Sequence, residues 1–295
     1  MLLAAGVLAA CLLLVGLVLP PLLARAAWPA RAPVLALVLW QAAGLAGGLL
    51  ILVLCATLAL APLGDTHLHG LRHLDRAGPL TVVAGAVGTA VLLRLLTVLL
   101  VSTARTLRAR HRNRVLVDLV AEPNLLLRGA SVVDHDVPVA YCLPGFRPRL
   151  VLSRGALSLL SYDELRAVLA HERAHLLQRH DLVVLPFVAL GATFPALPAV
   201  RTARAEVALL IELLADDRAA RRHDRQHLAR ALWKIGTGAA PTGALGMAGD
   251  DVLLRARRLL DPPQRLGRGT AVAVSGLAAV VATSPLVGIV IPLMV

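Results

Sequence analysis

Four long stretches nearly free of charge predict a mainly α membrane protein, with four transmembrane helices and a cytosolic α+β domain between the third and fourth. Two further observations point the same way. The chain is 58% hydrophobic with a mean hydropathy of +0.75, more apolar than a water-soluble domain of 295 residues usually is. Its arginines also gather beside the apolar stretches, where positive charge sets membrane orientation.

The spans fall at about residues 1–24, 34–62, 80–102 and 270–295. Residues 1–24, 34–64 and Thr270–Val295 hold no charge, and Pro79–Thr103 holds one, Arg94. Each is long enough for the roughly 20 residues that cross a hydrocarbon core. The first is read as a retained helix. Ala24-Arg25-Ala26 resembles a cleavage site and Leu8-Ala9-Ala10-Cys11 a lipoprotein box, but no positively charged segment precedes them and the apolar run continues past Cys11. Cys11 and Cys55 lie in spans and Cys142 in the cytosolic domain, a pattern with neither a disulfide framework nor a cysteine metal spacing.

The net charge of +12 comes from arginine, Lys234 being the only lysine. Arg105, Arg108, Arg110, Arg112 and Arg114 follow the third span, Arg265 and Arg268 precede the fourth, and Arg25 and Arg31 fill the first loop. The positive-inside rule makes that loop and the domain cytoplasmic and both termini external, in the plasma membrane of a bacterial-type cell. The arginine cluster is expected to rest on anionic lipid, so the bilayer is a partner. Direct nucleic-acid binding is not expected, because no aromatic interleaving or basic recognition helix accompanies the charge. Spans built of Leu, Ala and Val lack the polar lining of a transporter or channel. Trp28 and Trp40 are expected as interfacial anchors and Arg94 as a snorkelling side chain. His67, His69 and His73 read as a solvated outer loop, since no carboxylate or cysteine completes a ligand spacing.

The domain occupies 103–268. After a mixed stretch, Val115–Val133, residues 137–153 read as strand, turn and strand, with Pro and Gly around Gly145 between β-formers. Ser161-Tyr-Asp-Glu164 is a capping box opening a helix with Leu165, Val168 and Leu169 on one face. A second helix covers about Thr202–His223, a third Gln226–Ile235 ahead of a Gly/Ala-rich loop, and a fourth Asp250–Leu260. Leu182–Val200 is uncharged and long enough to cross, but Pro186, Pro195 and Pro198 interrupt it. It is expected to be re-entrant, buried or interfacial, since a crossing would separate the downstream acids from the upstream histidines.

The chemistry centres on His171-Glu172-Arg173-Ala174-His175. Two histidines four apart share a helix face, so their imidazoles can reach one Zn2+ at about 2.0–2.1 Å. Glu172, three before His175, edges that face without ligating and is placed to take a proton from an attacking water. A catalytic zinc needs a third protein ligand. A pattern with Gly at 178 and His at 181 is excluded by Gln178 and Asp181, and His180 is expected to point away on a continuous helix. Glu206 and Glu212 remain. Glu212 is favoured because Asp216, one turn on, can accept the distal N–H of a ligating histidine. Asp217 reads as an exposed neighbour, and His223 and His227 are candidates for the oxyanion-stabilising role, which stays open.

The order of the strand hairpin, Leu150-Val-Leu-Ser153-Arg-Gly155, Asp163-Glu164-Leu165, Val168-Leu-Ala-His171-Glu-Arg-Ala-His175 and Glu212-Leu-Leu-Ala-Asp216 resembles the gluzincin membrane peptidases. Three spans, a cytosolic domain and a fourth span, with Arg257-Arg258-Leu-Leu-Asp261-Pro-Pro before the last, are similar to the BlaR/MecR-type antirepressor metallopeptidases. The resemblance implies a zincin-like metallopeptidase domain, with His171, His175 and Glu212 holding zinc, Glu172 as general base and Asp216 behind the ligands. It also implies a regulatory endopeptidase whose envelope signal leads to cleavage of a winged-helix repressor. The antibiotic sensors of that group continue into a penicillin-binding domain, whereas this chain ends at Val295, so a different input is expected. A quality-control or CAAX-type membrane protease with the same site is the alternative. A non-catalytic receptor, holding zinc only for its fold, is the alternative of another class and would not need Glu172. A homodimer is compatible with all of these.

Overall fold

The computed structural model describes residues 1–123, 130–144, 148–238 and 247–294. The turn at Gly145 and most of the Gly/Ala-rich loop after Ile235 lie outside them. The chain is mostly helical and divides into two compact units: Met1–Ser102 with Pro186–Val207 and Leu266–Val295, and Thr103–Leu185 with Ala208–Arg265.

In the first unit, α1 (Leu2–Leu13) passes through a π-helical turn, Leu14–Val18, into α2 (Leu19–Arg25), and Pro20 sits at the start of α2, where its missing N–H costs nothing. Next come α3 (Pro33–Leu60), the short α4 (His67–Arg72) and the first part of α5 (Pro79–Val120). The unit closes with α12 (Arg268–Thr283) and α13 (Val287–Met294), joined by a 3-10 turn. Helix α3 packs against α1 and α12, and α1 against α13. A Cβ on Gly288 would press into Val53 and Leu8, so the glycine permits the close approach of α13. Leu93 and Leu100 are 58% and 69% exposed, an outward apolar surface that suits hydrocarbon rather than water. Four helical runs are long and apolar enough to cross a membrane: Leu2–Arg25, Pro33–Leu60, Pro79–Val117 and Arg268–Met294.

Two expectations are corrected in this unit. Trp40 is no interfacial anchor; it lies two turns inside α3 and is buried among the helices. Arg94 does not snorkel. It donates from Nε and Nη2 to the Thr193 carbonyl at 3.2 and 3.0 Å, capping the end of α8 (His180–Thr193). The stretch 182–200, expected to be re-entrant, buried or interfacial, is broken into two helices: α8, with Pro186 inside it, ends at Thr193, and α9 (Pro198–Ala219) begins after a short turn. His67 meets Thr57 Oγ1 at 3.0 Å and His69 stacks on His73, with no metal group there among the described residues.

The second unit holds a four-stranded sheet ordered β1-β2-β4-β3. Strand β1 (Glu122–Pro123) runs antiparallel to β2 (Ala130–Val133), and β2 parallel to β4 (Arg149–Ser153). Strand β3 (Ala140–Leu143) pairs antiparallel with β4, Ala140 opposite Leu152 and Leu143 opposite Arg149, and forms a sheet edge. The two expected strands are therefore present and paired, while the turn between them lies outside the described residues, and β2 is an unforeseen neighbour of β4. Helix α6 (Arg154–Leu159) follows directly, and Gly155 lets the Asp136 backbone pass where a Cβ would clash.

Helix α7 (Tyr162–Leu177) lies on one face of the sheet. Leu165, Val168 and Leu169 pack with Leu150, Leu152 and Ala231, as their helical spacing predicts. The capping box is formed: Glu164 N–H donates to Ser161 Oγ and Ser161 N–H to Glu164 Oε2, at 3.3 and 2.8 Å. On the other face Val117 from the end of α5 meets Val151 and Leu143. A second core joins Ala167 of α7, Ala219 of α9, Leu228 of α10 (Arg225–Gly238), and Ala256 and Leu259 of α11 (Met247–Leu260). This core brings α9 and α11 beside the histidine helix.

Candidate metal centre

His171 and His175 project from one face of α7, and the rest of the site assembles around them. Their Nε2 atoms lie 3.0 Å apart. Glu212 on α9 reaches both, Oε2 3.4 Å from His171 Nε2 and Oε1 3.5 Å from His175 Nε2. Four tetrahedral ligands at about 2.0–2.1 Å from zinc stand about 3.3 Å from one another. Each Glu212 oxygen stands near that separation from one imidazole, and with one ligand atom per residue all three lie within 4.8 Å of one another. Two imidazoles and a carboxylate are also a donor set that zinc accepts. Among the described residues these three form the one such group, and Glu206 is not in it.

Asp216, one turn after Glu212, is fully buried, and its Oδ1 makes a 2.9 Å ion-pair contact with His171 Nδ1. A residue missed by sequence reasoning completes this corner. Arg255 of α11 donates from Nε and Nη2 to the two Asp216 oxygens at 2.8 and 2.9 Å, and its Nη1 lies 2.8 Å from Glu212 Oε2. Asp217 is not a free neighbour, since Arg258 grips it at 2.6 and 2.9 Å. Acids at 216 and 217 facing arginines at 255 and 258 are visible in the sequence, but only packing selects them from the arginine-rich 255–258 stretch.

The electrostatics follow from this crowding. Burial works against charge on every member, yet the pairings prevail at three. His171 is raised to about 9 by Asp216 and Glu212, and Glu212 and Asp216 are both held down at about 2 by His171 and Arg255. His175 goes the other way, to about 4, through burial and the charge of His171. Glu172 is raised above the ordinary glutamate range, chiefly by burial and with help from Glu212, although His171 pulls it down. It faces Cys142 on β3, whose thiol, pushed up to about 12 by burial and Glu172, hydrogen-bonds to the carboxylate.

A cavity of about 330 Å3 opens between β3 and α7, lined by Tyr141, Cys142, Glu172, His175, His180 and Glu212 among others. His223 and His227 are not among its lining residues, so neither is positioned for the oxyanion role. His180 is, which corrects the expectation that it points away. Helix α7 stops at Leu177, and the next turn swings His180 back until its Nδ1 lies 2.9 Å from His175 Nδ1.

No curated protein and no solved structure matches the chain. Residues 106–222, from within α5 to the turn after α9, match the model of Peptidase family M48, and α11 with Arg255 lies beyond the matched segment. The match covers both histidines, Glu172, Glu212 and Asp216, and the family that this segment is similar to is one of zinc metallopeptidases, hydrolases of peptide bonds.

Proposed function

We propose that the chain is an integral membrane zinc endopeptidase in which His171, His175 and Glu212 hold the metal. The observation that carries the reading is the convergence of His171 Nε2 and His175 Nε2, 3.0 Å apart, on the Glu212 carboxylate, which sets one oxygen near each imidazole. Zinc there supplies Lewis acidity toward a peptide carbonyl and acidifies the attacking water. Glu172 takes the proton from that water and returns it to the leaving amine, a role suited to a carboxyl made more basic by burial. Cys142 on β3 lines the same cavity beside Glu172. Asp216 receives the distal nitrogen of His171 and keeps its ring turned to the metal. Arg255 keeps Glu212 and Asp216 anionic and occupies Glu212 Oε2.

The edge of β3 borders the cavity, so an extended protein segment can pair with it as an added strand and lie across Glu172. Substrate is therefore taken unfolded or at a flexible loop. The positive charge flanking the spans supports a cytoplasmic site, and four apolar helical runs with the peptidase residues between the third and fourth support the antirepressor layout. On that reading the substrate is a cytosolic protein such as a winged-helix repressor. The experiment is Glu172→Gln in purified protein, followed by zinc analysis and cleavage of casein. The expected result is full zinc occupancy with cleavage reduced by about 10^2–10^4-fold. Cleavage at the wild-type rate ends the hydrolase reading.

A further inference from the structure

His175 and His171 are matched as zinc ligands but differ in what stands behind them. His171 has the Asp216 carboxylate at its Nδ1, whereas His175 has another imidazole, His180 Nδ1 at 2.9 Å with the rings edge to face. The backbone pays for this contact. Arg179 has φ 51°, the one non-glycine residue with positive φ among those described, in a region where a side chain costs about 1–2 kcal/mol. Two interactions offset the strain: Arg110 donates to Asp181 Oδ2 at 2.9 Å, and His180 seats at 4% exposure against His175.

The proton positions follow from the geometry. His175 turns Nε2 toward His171 and Glu212, so Nδ1 is its distal nitrogen. A neutral imidazole that ligates through Nε2 carries its proton on Nδ1, and the atom facing that proton is His180 Nδ1. His180 must then accept at Nδ1 and keep its own proton on Nε2, an atom that is buried and has no partner among the described residues. The reverse arrangement, with His180 donating, would put the His175 proton on Nε2 and block ligation.

Resting on the zinc reading above, we infer that His180 is a positioning residue of the metal centre, fixing His175 as the Nδ1–H tautomer and orienting its ring by accepting that proton. It does for His175 what Asp216 does for His171. The test uses the full chain in detergent as wild type, His180→Phe and His180→Asn. Zinc affinity is measured by chelator competition, the ligand field by the absorption spectrum of the cobalt-loaded protein, and intrinsic stability by the melting midpoint of the zinc-free protein. Phe removes the acceptor and is expected to weaken zinc binding about 10–100-fold and shift the cobalt bands. Asn offers an amide oxygen near the Nδ1 position and is expected to restore most of the affinity and the wild-type bands. Unchanged affinity and spectrum in His180→Phe overturn the inference, as do equal losses in both variants that track their zinc-free melting midpoints. A wild-type protein that binds no zinc overturns the metal reading and this inference together, whereas normal wild-type binding indifferent to His180 overturns this inference alone.

Discussion

Asp216 shows how much of the site is decided by single side chains. It is buried, and its charge is tolerable because Arg255 holds both oxygens while His171 contacts one. Arg255→Met would leave that carboxylate and Glu212 without their cation. Breaking a buried pair from one side costs about 3–5 kcal/mol, so a large fall in the melting midpoint of the zinc-free protein is expected. A midpoint unchanged from wild type would contradict this account of the corner. His171, Glu172 and His175 were legible in the sequence because their spacing lies within one helix, where residue number translates directly into direction. Glu212 was legible only as one of two acids, with Asp216 on its face deciding. Arg255 was not, since it reaches the acids from a helix 39 residues further on. His180 was misread because extrapolating α7 past Gln178 ignores a turn that no glycine or proline announces.

Helix α7 is the element that carries the site, and its start is pinned by Glu164, which closes the capping box and accepts from Lys234 at 2.8 Å. Burial pushes this carboxyl up, but Lys234 and the Ser161 N–H outweigh it and its pKa is lowered. The stabilisation is therefore complete above the ordinary glutamate pKa of about 4.3 and is lost as pH falls through the lowered folded value. With Lys234 partly exposed, Glu164→Gln is expected to cost about 1–2 kcal/mol at neutral pH. The gap in melting midpoint between variant and wild type should narrow on acidification below that range, and a gap that widened instead would contradict the assignment. The capping box and the β3–β4 pairing were readable because each has local chemistry. Strand β2 was not, as Ala-Ser-Val-Val is too short to show alternation and its partner β4 is about 20 residues away. The third span was placed at 80–102, yet α5 runs on to Val120, because the arginines that mark the membrane boundary are also good helix formers.

For the molecule as a whole, apolar length was the clearest signal, and the four helical runs able to cross a membrane lie where uncharged sequence predicts them. The peptidase chemistry is independent of that signal. It depends on α7, α9, α11 and β3 meeting at one point, and thus on packing rather than pattern. Catalysis further requires that this meeting point bind zinc. The direct measurement is zinc content by mass spectrometry of the purified wild type and Glu212→Ala, with the zinc-free melting midpoint as a control for folding. The account predicts one tightly held zinc per wild-type chain and its loss in a folded Glu212→Ala protein. A wild type without stoichiometric zinc, or a variant that keeps it undiminished, would contradict the account.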